Sequence, residues 1–317
     1  MSNSDRRTTD ALGDRMKAYE RRETERRAMR GVPLVVRVDG RSFSRFTRGM
    51  ARPFDQDMAD LMVEVARYLV EQTQAKVALT QSDEISLVLE PFDHVGIGEV
   101  RRALADSVSR FEAGDAAAAA ARTKALLDRT ARGASLARDD ADFLFGGRFQ
   151  KLCSVVAGLA TARFVKDAVR LWPERCARQL PVFDARVFEV PNRDEAVAAL
   201  VWRELDATKN AVSMAARAHF PHARLQGKTP AQMQEMLFRE KGINFNAYPA
   251  RFKRGVYLQR RTAARELPPE RLALIPEGKR PTGPVLRTEI ACLDLPPITR
   301  VVNRVEVLLD GAEPRTA

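Results

Sequence analysis

Cysteine and histidine are scarce in this chain, at three of each in 317 residues. Cys153, Cys176 and Cys292 form no Cys-x-x-Cys pair, and the histidines fall outside zinc-ligand spacing, which argues against a zinc site or a disulfide framework. His219 and His222 read as ordinary surface or core residues. Reduced thiols in a cytoplasm are expected. No apolar run approaches the roughly 18 residues of a membrane span. The alanine run at 116–121 is short and only weakly hydrophobic. The opening Met1-Ser-Asn-Ser-Asp-Arg-Arg lacks the apolar core of an export signal, so none is expected. Acidic residues are missing from 247–265, which carries Arg251, Lys253, Arg254, Arg260, Arg261 and Arg265. That strip is expected to contact phosphate. No repeat period is visible.

What is abundant is arginine. Lys plus Arg number 53 against 42 Asp plus Glu, a net charge of +11 and a pI near 10.0. Such a chain suits a polyanionic partner, nucleic acid above all. An arginine-rich surface with no partner is the plainer alternative, and composition does not separate the two. Apolar residues make up 45%, which excludes a disordered or collagen-like chain. At about 150 residues per domain, two domains are expected.

Local patterns set out the order of elements. Residues 1–33 are charged and helix-prone, with Leu12, Met16 and Tyr19 at helical spacing and expected to lie on the main body. Leu34 to Val38 reads as a buried strand. Asp55 is placed to cap a helix whose apolar positions are Met58, Leu61, Met62, Val65 and Leu69. Val77 to Thr80 and Ile85 to Leu89 read as a hairpin around Gln81-Ser82-Asp83-Glu84. After an expected insertion at 91–145 come a helix from Lys151 to about Leu171 and a strand from Val182 to Val190. A second helix is expected from Asp194 to Phe220, and a third between Thr229-Pro230 and Gly242. The fold class is therefore α+β: a ferredoxin-like βαββαβ domain at 34–192, a helical and basic RNA-binding region at 193–265, and an extended Pro-rich tail at 266–317. That tail is expected to hold one strand, Val301 to Leu309. Phe43, Phe46, Met58, Met62, Trp172 and Trp202 are expected in the core.

In that topology Asp39, ending the first strand, and Asp83, at the hairpin tip, meet at one edge of the sheet although 44 positions apart. Facing carboxylates repel unless cations lie between them. Hard oxygen ligands suit Mg²⁺, which takes one or two carboxylates and completes its shell with water and phosphate oxygens. Paired ions of this kind serve phosphoryl or nucleotidyl transfer. Gly40 leaves the backbone bare beside the acid, as close phosphate approach requires. Glu84 adds a third carboxylate. The plainer reading is an Asp-Gly turn and a solvated hairpin tip.

Six segments occur in one order: 36–46 (Val-Arg-Val-Asp-Gly-Arg-Ser-Phe-Ser-Arg-Phe), 81–88 (Gln-Ser-Asp-Glu-Ile-Ser-Leu-Val), 145–151 (Phe-Gly-Gly-Arg-Phe-Gln-Lys), 183–188 (Phe-Asp-Ala-Arg-Val-Phe), 202–210 (Trp-Arg-Glu-Leu-Asp-Ala-Thr-Lys-Asn) and 242–246 (Gly-Ile-Asn-Phe-Asn). Together they resemble the tRNA-His guanylyltransferase family and its bacterial and archaeal relatives, the 3′-to-5′ RNA polymerases. The resemblance spans roughly residues 12 to 260. It implies a polymerase-like palm, two Mg²⁺ ions, and nucleotide addition to a tRNA 5′ end. The 5′ phosphate is first activated with ATP or GTP, and the 3′ hydroxyl of an incoming nucleotide, usually GTP, then attacks it. By the motif match, Asp39, Gly40 (through its carbonyl) and Asp83 hold metal. Asp39, Gly40, Arg41, Ser42, Phe43, Ser44, Ser82 and Asp83 line the nucleotide site, and Arg148 and Lys151 meet triphosphate. Glu84 acts as an outer orienting carboxylate. Asn210, Lys253 and Arg254 are the expected RNA contacts, and a homo-tetramer is the expected assembly. Ser44, Thr208-Lys209-Asn210-Ala211 and Lys253-Arg254-Gly255 replace residues of the eukaryotic pattern, which favours 5′-end repair over strict recognition of tRNA-His. A palm-domain nucleotide cyclase and a non-catalytic tRNA-binding protein are the alternatives. The basic strip argues against the first, and the paired aspartates against the second.

Overall fold

The computed structural model describes residues 11–91, 114–118, 143–281 and 283–316. The chain divides into two compact units, residues 1–32 with 90–152 and residues 33–89 with 153–317. Apart from residues 91, 114–118 and 143–145, the expected insertion at 91–145 lies outside the described residues.

The larger unit is built on a six-stranded sheet of order β4-β1-β3-β2-β5-β6, with every neighbouring pair antiparallel. The strands are β1 Leu34–Arg41, β2 Val77–Gln81, β3 Glu84–Leu89, β4 Val182–Glu189, β5 Val256–Arg265 and β6 Val285–Leu293. Leu34, Val35, Val36 and Val38 are all buried, so β1 is covered on both faces and reads as a continuous apolar run. The first four strands and two intervening helices give the βαββαβ order expected from sequence.

Helices cover both faces. Helix Gln56–Thr73 starts where Asp55 accepts the N–H of Met58 at 3.0 Å, and it buries Met58, Leu61, Met62, Val65 and Leu69. Helix Phe149–Leu171 contributes Phe164, fully buried among Phe43, Phe46 and Phe183 at ring separations of 5.4–5.9 Å. Phe43, Phe46, Met58 and Met62 are thus core residues, as expected. On the opposite face, helix Arg193–His219 sets Ala196, Val197 and Leu200 against Val77, Leu79, Val88 and Tyr257. Its second half packs Ala211, Val212, Ala215 and Ala216 against Leu225, Leu237 and Phe245. Helix Pro230–Lys241 has the expected signals: a Thr229–Gln232 capping box, Pro230 in the first turn, and Gly242 at φ +66° as the stop.

Two expectations fail in the C-terminal third. Residues 256–265, assigned from sequence to a basic RNA-binding region, form β5, and 285–293 form β6, so both join the sheet. Val301 to Leu309 is not a strand. It runs through turns into a π-helical turn, Glu306–Asp310, whose Val307, Leu308 and Leu309 join Ile298 and Val301 in the core over β2 and β5. Gln259 on β5, itself buried, donates to the carbonyls of Val307 and Leu308 at 2.7 and 2.8 Å. A segment expected to extend away is anchored by apolar burial and by those two bonds.

In the smaller unit, helix Ala11–Thr24 forms, but Leu12, Met16 and Tyr19 are 59%, 46% and 53% exposed rather than packed in a core. Farther on, Arg27 and Arg148 form an antiparallel bridge, and Ala28 donates to the Gly147 carbonyl at 2.9 Å. Among the described residues no helix is long and apolar enough to cross a membrane.

Candidate active site

Asp39 sits opposite Glu84 on β3 and Asp184 on β4. Directly opposed residues share a face of the sheet, so three carboxylates line up there. Arg186 answers them weakly, at 3.8 Å from Asp39 and 3.7 Å from Asp184. Asp184 and Arg186 carry no signal of their own in sequence; the opposed register of β1 and β4 is what brings them to the site.

Asp83 reaches the site from the β2–β3 turn. Ser82 holds φ +53°, and its hydroxyl bonds the Asp83 carboxylate at 3.1 Å. The Gly40 N–H donates to the Asp83 carbonyl at 3.1 Å, which ties the turn to the end of β1. Burial, chiefly, pushes the Asp83 carboxyl up to about 6. The neighbouring charges of Asp39 and Glu84 push the same way, and the Asp83 backbone and Ser82 hydroxyl oppose them. A metal-free site therefore gathers negative charge that the protein only partly compensates.

Glu84 is differently placed. Arg203, from the helix Arg193–His219, donates from Nε to Oε1 at 2.6 Å and from Nη2 to Oε2 at 2.7 Å. Arg203 also reaches Asp206 at 3.0 Å, and Asn210 reaches the same Asp206 oxygen at 3.2 Å. Trp202, expected in the core, is 52% exposed, with the Arg203 guanidinium 4.6 Å from its ring centre and that of Arg37 at 5.7 Å. The indole thus meets two cations rather than the apolar core.

A cleft of about 660 Å³ opens from Asp83. Gly40, Ser42, Ser44 and Ser82 line it, and Arg48, Arg52, Arg217 and Arg251 add positive charge to the lining. Ser42, at φ +57°, turns the chain between β1 and the single helical turn Phe43–Phe46. Phe43 is only 3% exposed, so its ring belongs to the core. Arg41 is exposed. Asp55 lines the cleft too, with both carboxylate oxygens held at 3.0 Å by the backbone of Met58 and Ala51.

Arg148 and Lys151 belong to the smaller unit. The Phe145-Gly146-Gly147 run has three consecutive positive φ angles, which draws both cations around Phe145. Arg148 donates to the Phe145 carbonyl at 3.2 Å, and the Lys151 ammonium lies 5.3 Å from the ring centre.

Several cations of the basic strip have partners within the chain. Arg251 bonds Asp60, Arg261 bonds Gln259 and Arg265 bonds Glu289. Lys253 donates to the Asn246 carbonyl at 2.6 Å, and its ammonium is held below the usual lysine range by burial and by Arg254 beside it. Arg254 donates to the Leu295 carbonyl at 3.0 Å and lies 3.8 Å from the buried Glu204. The strip is divided between the short helix Ala250–Arg254 and strand β5.

An antiparallel βαββαβ sheet with two aspartates beside a basic cleft is compatible with nucleotidyl transfer. Residues 13–191, more than half of the chain, match the family described as tRNAHis guanylyltransferase, and the chain belongs to that family. The tRNA(His) guanylyltransferase of Saccharomyces cerevisiae is 24% identical over 244 residues, covering 72% of this chain and 82% of the yeast protein. An uncharacterized protein of Acanthamoeba polyphaga mimivirus is 24% identical over 265 residues, with 79% and 77% covered. Among solved structures, a bacterial tRNA(His) guanylyltransferase-like protein in complex with ATP superposes with a TM-score of 0.67 at 28% identity, over 94% of this chain and 99% of that one. A bacterial guanylyltransferase-like protein in complex with GTP gives 0.58 at 26% identity, covering 92% and 94%. The chain is therefore a nucleotidyltransferase of the tRNA-His guanylyltransferase type.

Proposed function

We propose that this protein adds nucleotides, GTP by preference, in the 3′-to-5′ direction to tRNA 5′ ends, as 5′-end repair or tRNA-His guanylylation, and requires Mg²⁺. The observation that carries the reading is the placement of Asp39 beside Gly40 in sequence and of Asp83 beside it in space, with Gly40 and Asp83 lining a cleft large enough for a nucleotide. The donor set fits the ion. Among the described residues no group of three or more metal-type ligands forms, and Mg²⁺ needs only one or two carboxylates when triphosphate and water complete its shell. Asp39, Asp83 and the Gly40 carbonyl would hold it, while both oxygens of Glu84 are engaged by Arg203. Bound there, Mg²⁺ supplies positive charge against the triphosphate and lowers the pKa of the attacking hydroxyl.

The chain's own residues do the rest. Ser42, Ser44 and Ser82 bring hydroxyls to the cleft, and Arg217 and Arg48 offset phosphate charge there. Arg148 and Lys151 are the proposed triphosphate cations of the smaller unit. Asn210 is the proposed RNA contact on the long helix. Lys253 and Arg254 support that region from within. ATP and GTP serve as activator and substrate, and a homo-tetramer is the assembly the family resemblance suggests.

The experiment is nucleotide addition to 5′-monophosphorylated tRNA-His, full-length and lacking its first nucleotides, with Mg²⁺, ATP and labelled GTP. Extension of the shortened tRNA, lost in Asp83→Ala, supports repair. One G added only to full-length tRNA-His supports identity-setting guanylylation. No addition to either, with RNA binding intact, favours a non-catalytic tRNA-binding protein and sinks the reading.

A further inference from the structure

The strongest ion pair near the site joins two residues far apart in sequence. Arg203 grips both oxygens of Glu84, at 2.6 and 2.7 Å, with side-chain exposures of 15% and 16%. The planar fork of a guanidinium fixes such a carboxylate in orientation as well as position. The Trp202 ring lies 4.6 Å from the same guanidinium and screens it. Glu84 is the residue after Asp83 and stands opposite Asp39 in the sheet, so its backbone adjoins both proposed cation ligands.

We propose that Arg203 is a positioning residue that keeps Glu84 out of the cation site formed by Asp39 and Asp83. The proposal rests on the nucleotidyltransferase reading above. A third free carboxylate would hold a bare divalent cation more tightly. It would also take coordination positions that triphosphate oxygens must fill for reaction. Arg203 thus trades bare-metal affinity for a site left open to the nucleotide. Asp206, shared between Arg203 and Asn210, links this clamp to the helix face carrying the proposed RNA contact.

The test uses the full-length protein, wild type and Arg203→Met, Arg203→Lys, Glu84→Gln and the Arg203→Met/Glu84→Gln double variant. Mn²⁺ binding is read from the electron paramagnetic resonance of free Mn²⁺, apart from any turnover, and GTP addition to tRNA is measured alongside. Arg203→Met is expected to bind bare Mn²⁺ roughly tenfold more tightly, since a neighbouring carboxylate loses its counter-charge. Its addition rate should fall by about 10- to 100-fold, the usual effect of losing an outer partner. The double variant should return Mn²⁺ affinity to that of wild type. Arg203→Lys, which keeps the charge and loses the fork, should fall between and serves if Arg203→Met does not fold. Wild type that binds Mn²⁺ and adds nucleotide, with folded Arg203 variants matching it in Mn²⁺ affinity, overturns the inference alone. So does a tightening that persists in the double variant. Wild type that does neither overturns the enzyme reading and the inference together.

Discussion

Gly40 and Asp83 occupy each other's space: a methyl group on Gly40 would lie 2.8 Å from the Asp83 Oδ2 atom and 2.3 Å from the Phe43 ring. The absent side chain lets the Asp83 carboxylate approach the end of β1, with the Gly40 N–H on the Asp83 carbonyl. Gly40→Ala is expected to force the carboxylate and the ring apart. Overpacking of this kind costs about 1–3 kcal/mol. Nucleotide addition should fall by about 100-fold or more, since even ~1 Å of misplacement costs that much. Thermal unfolding beside an addition assay checks both, and near-wild-type addition by a folded Gly40→Ala would count against the placement of Asp83.

Asp83 gives a pH prediction. In the folded, metal-free protein its carboxyl is raised to about 6, against 3.8 for the free group. The contribution to stability is then complete below about pH 4 and is lost as pH rises through about 6. Asp83→Asn, which is never charged, should be more stable than wild type at pH 7.5, by roughly 1–3 kcal/mol. The two should converge near pH 4, and addition activity should disappear in the variant. Urea unfolding of metal-free protein at several pH values checks the sign. A variant less stable than wild type at pH 7.5 would show that burial is not what raises Asp83.

Arg254 separates a structural cation from an RNA contact. It donates to the Leu295 carbonyl and stands beside Glu204, whose carboxyl is pushed up by burial, with the Ile298 N–H and Arg254 opposing. Arg254→Ala should therefore lower stability by about 2–4 kcal/mol through a buried carboxylate left without its counter-charge. The salt dependence of tRNA binding should keep its slope, where loss of a phosphate contact would reduce it by about 1. Chemical denaturation and binding across salt concentrations distinguish the outcomes.

How far the sequence could be read follows from how local each signal is. Asp55, Thr229-Pro230 and Gly242 announce helix ends within a few residues, and those helices fold as expected. Asp39 and Asp83 were legible because each sits in its own turn and the βαββαβ order brings the turns together. The clamp on Glu84 was not, because Arg203 lies 119 positions away, and the 202–210 segment that holds it carries no sign of its partner. Strand β5 was missed for a similar reason. Its Gln-Arg-Arg centre reads as solvent-facing, and only pairing with β2 and β6 on either side makes it a sheet strand.

The C-terminal segment illustrates the same limit and gives a last prediction. The strand expected from Val301 to Leu309 does not form; Val307, Leu308 and Leu309 turn inward together onto β2 and β5. The decisive partner is Gln259, which is 1% exposed and bonds the carbonyls of Val307 and Leu308. Gln259→Met keeps the side-chain volume and removes both donors. Each buried carbonyl left unpaired costs about 1–3 kcal/mol. Loss of about 2–4 kcal/mol is expected in urea unfolding, with hydrogen exchange faster across 298–316 while the Asp39–Asp83 edge keeps its protection. If Gln259→Met left the stability unchanged, the segment would be held by apolar burial alone. Removal of residues 298–317 would then be the larger perturbation, exposing Val77, Leu79 and Tyr257 on the face of the sheet that also carries the site.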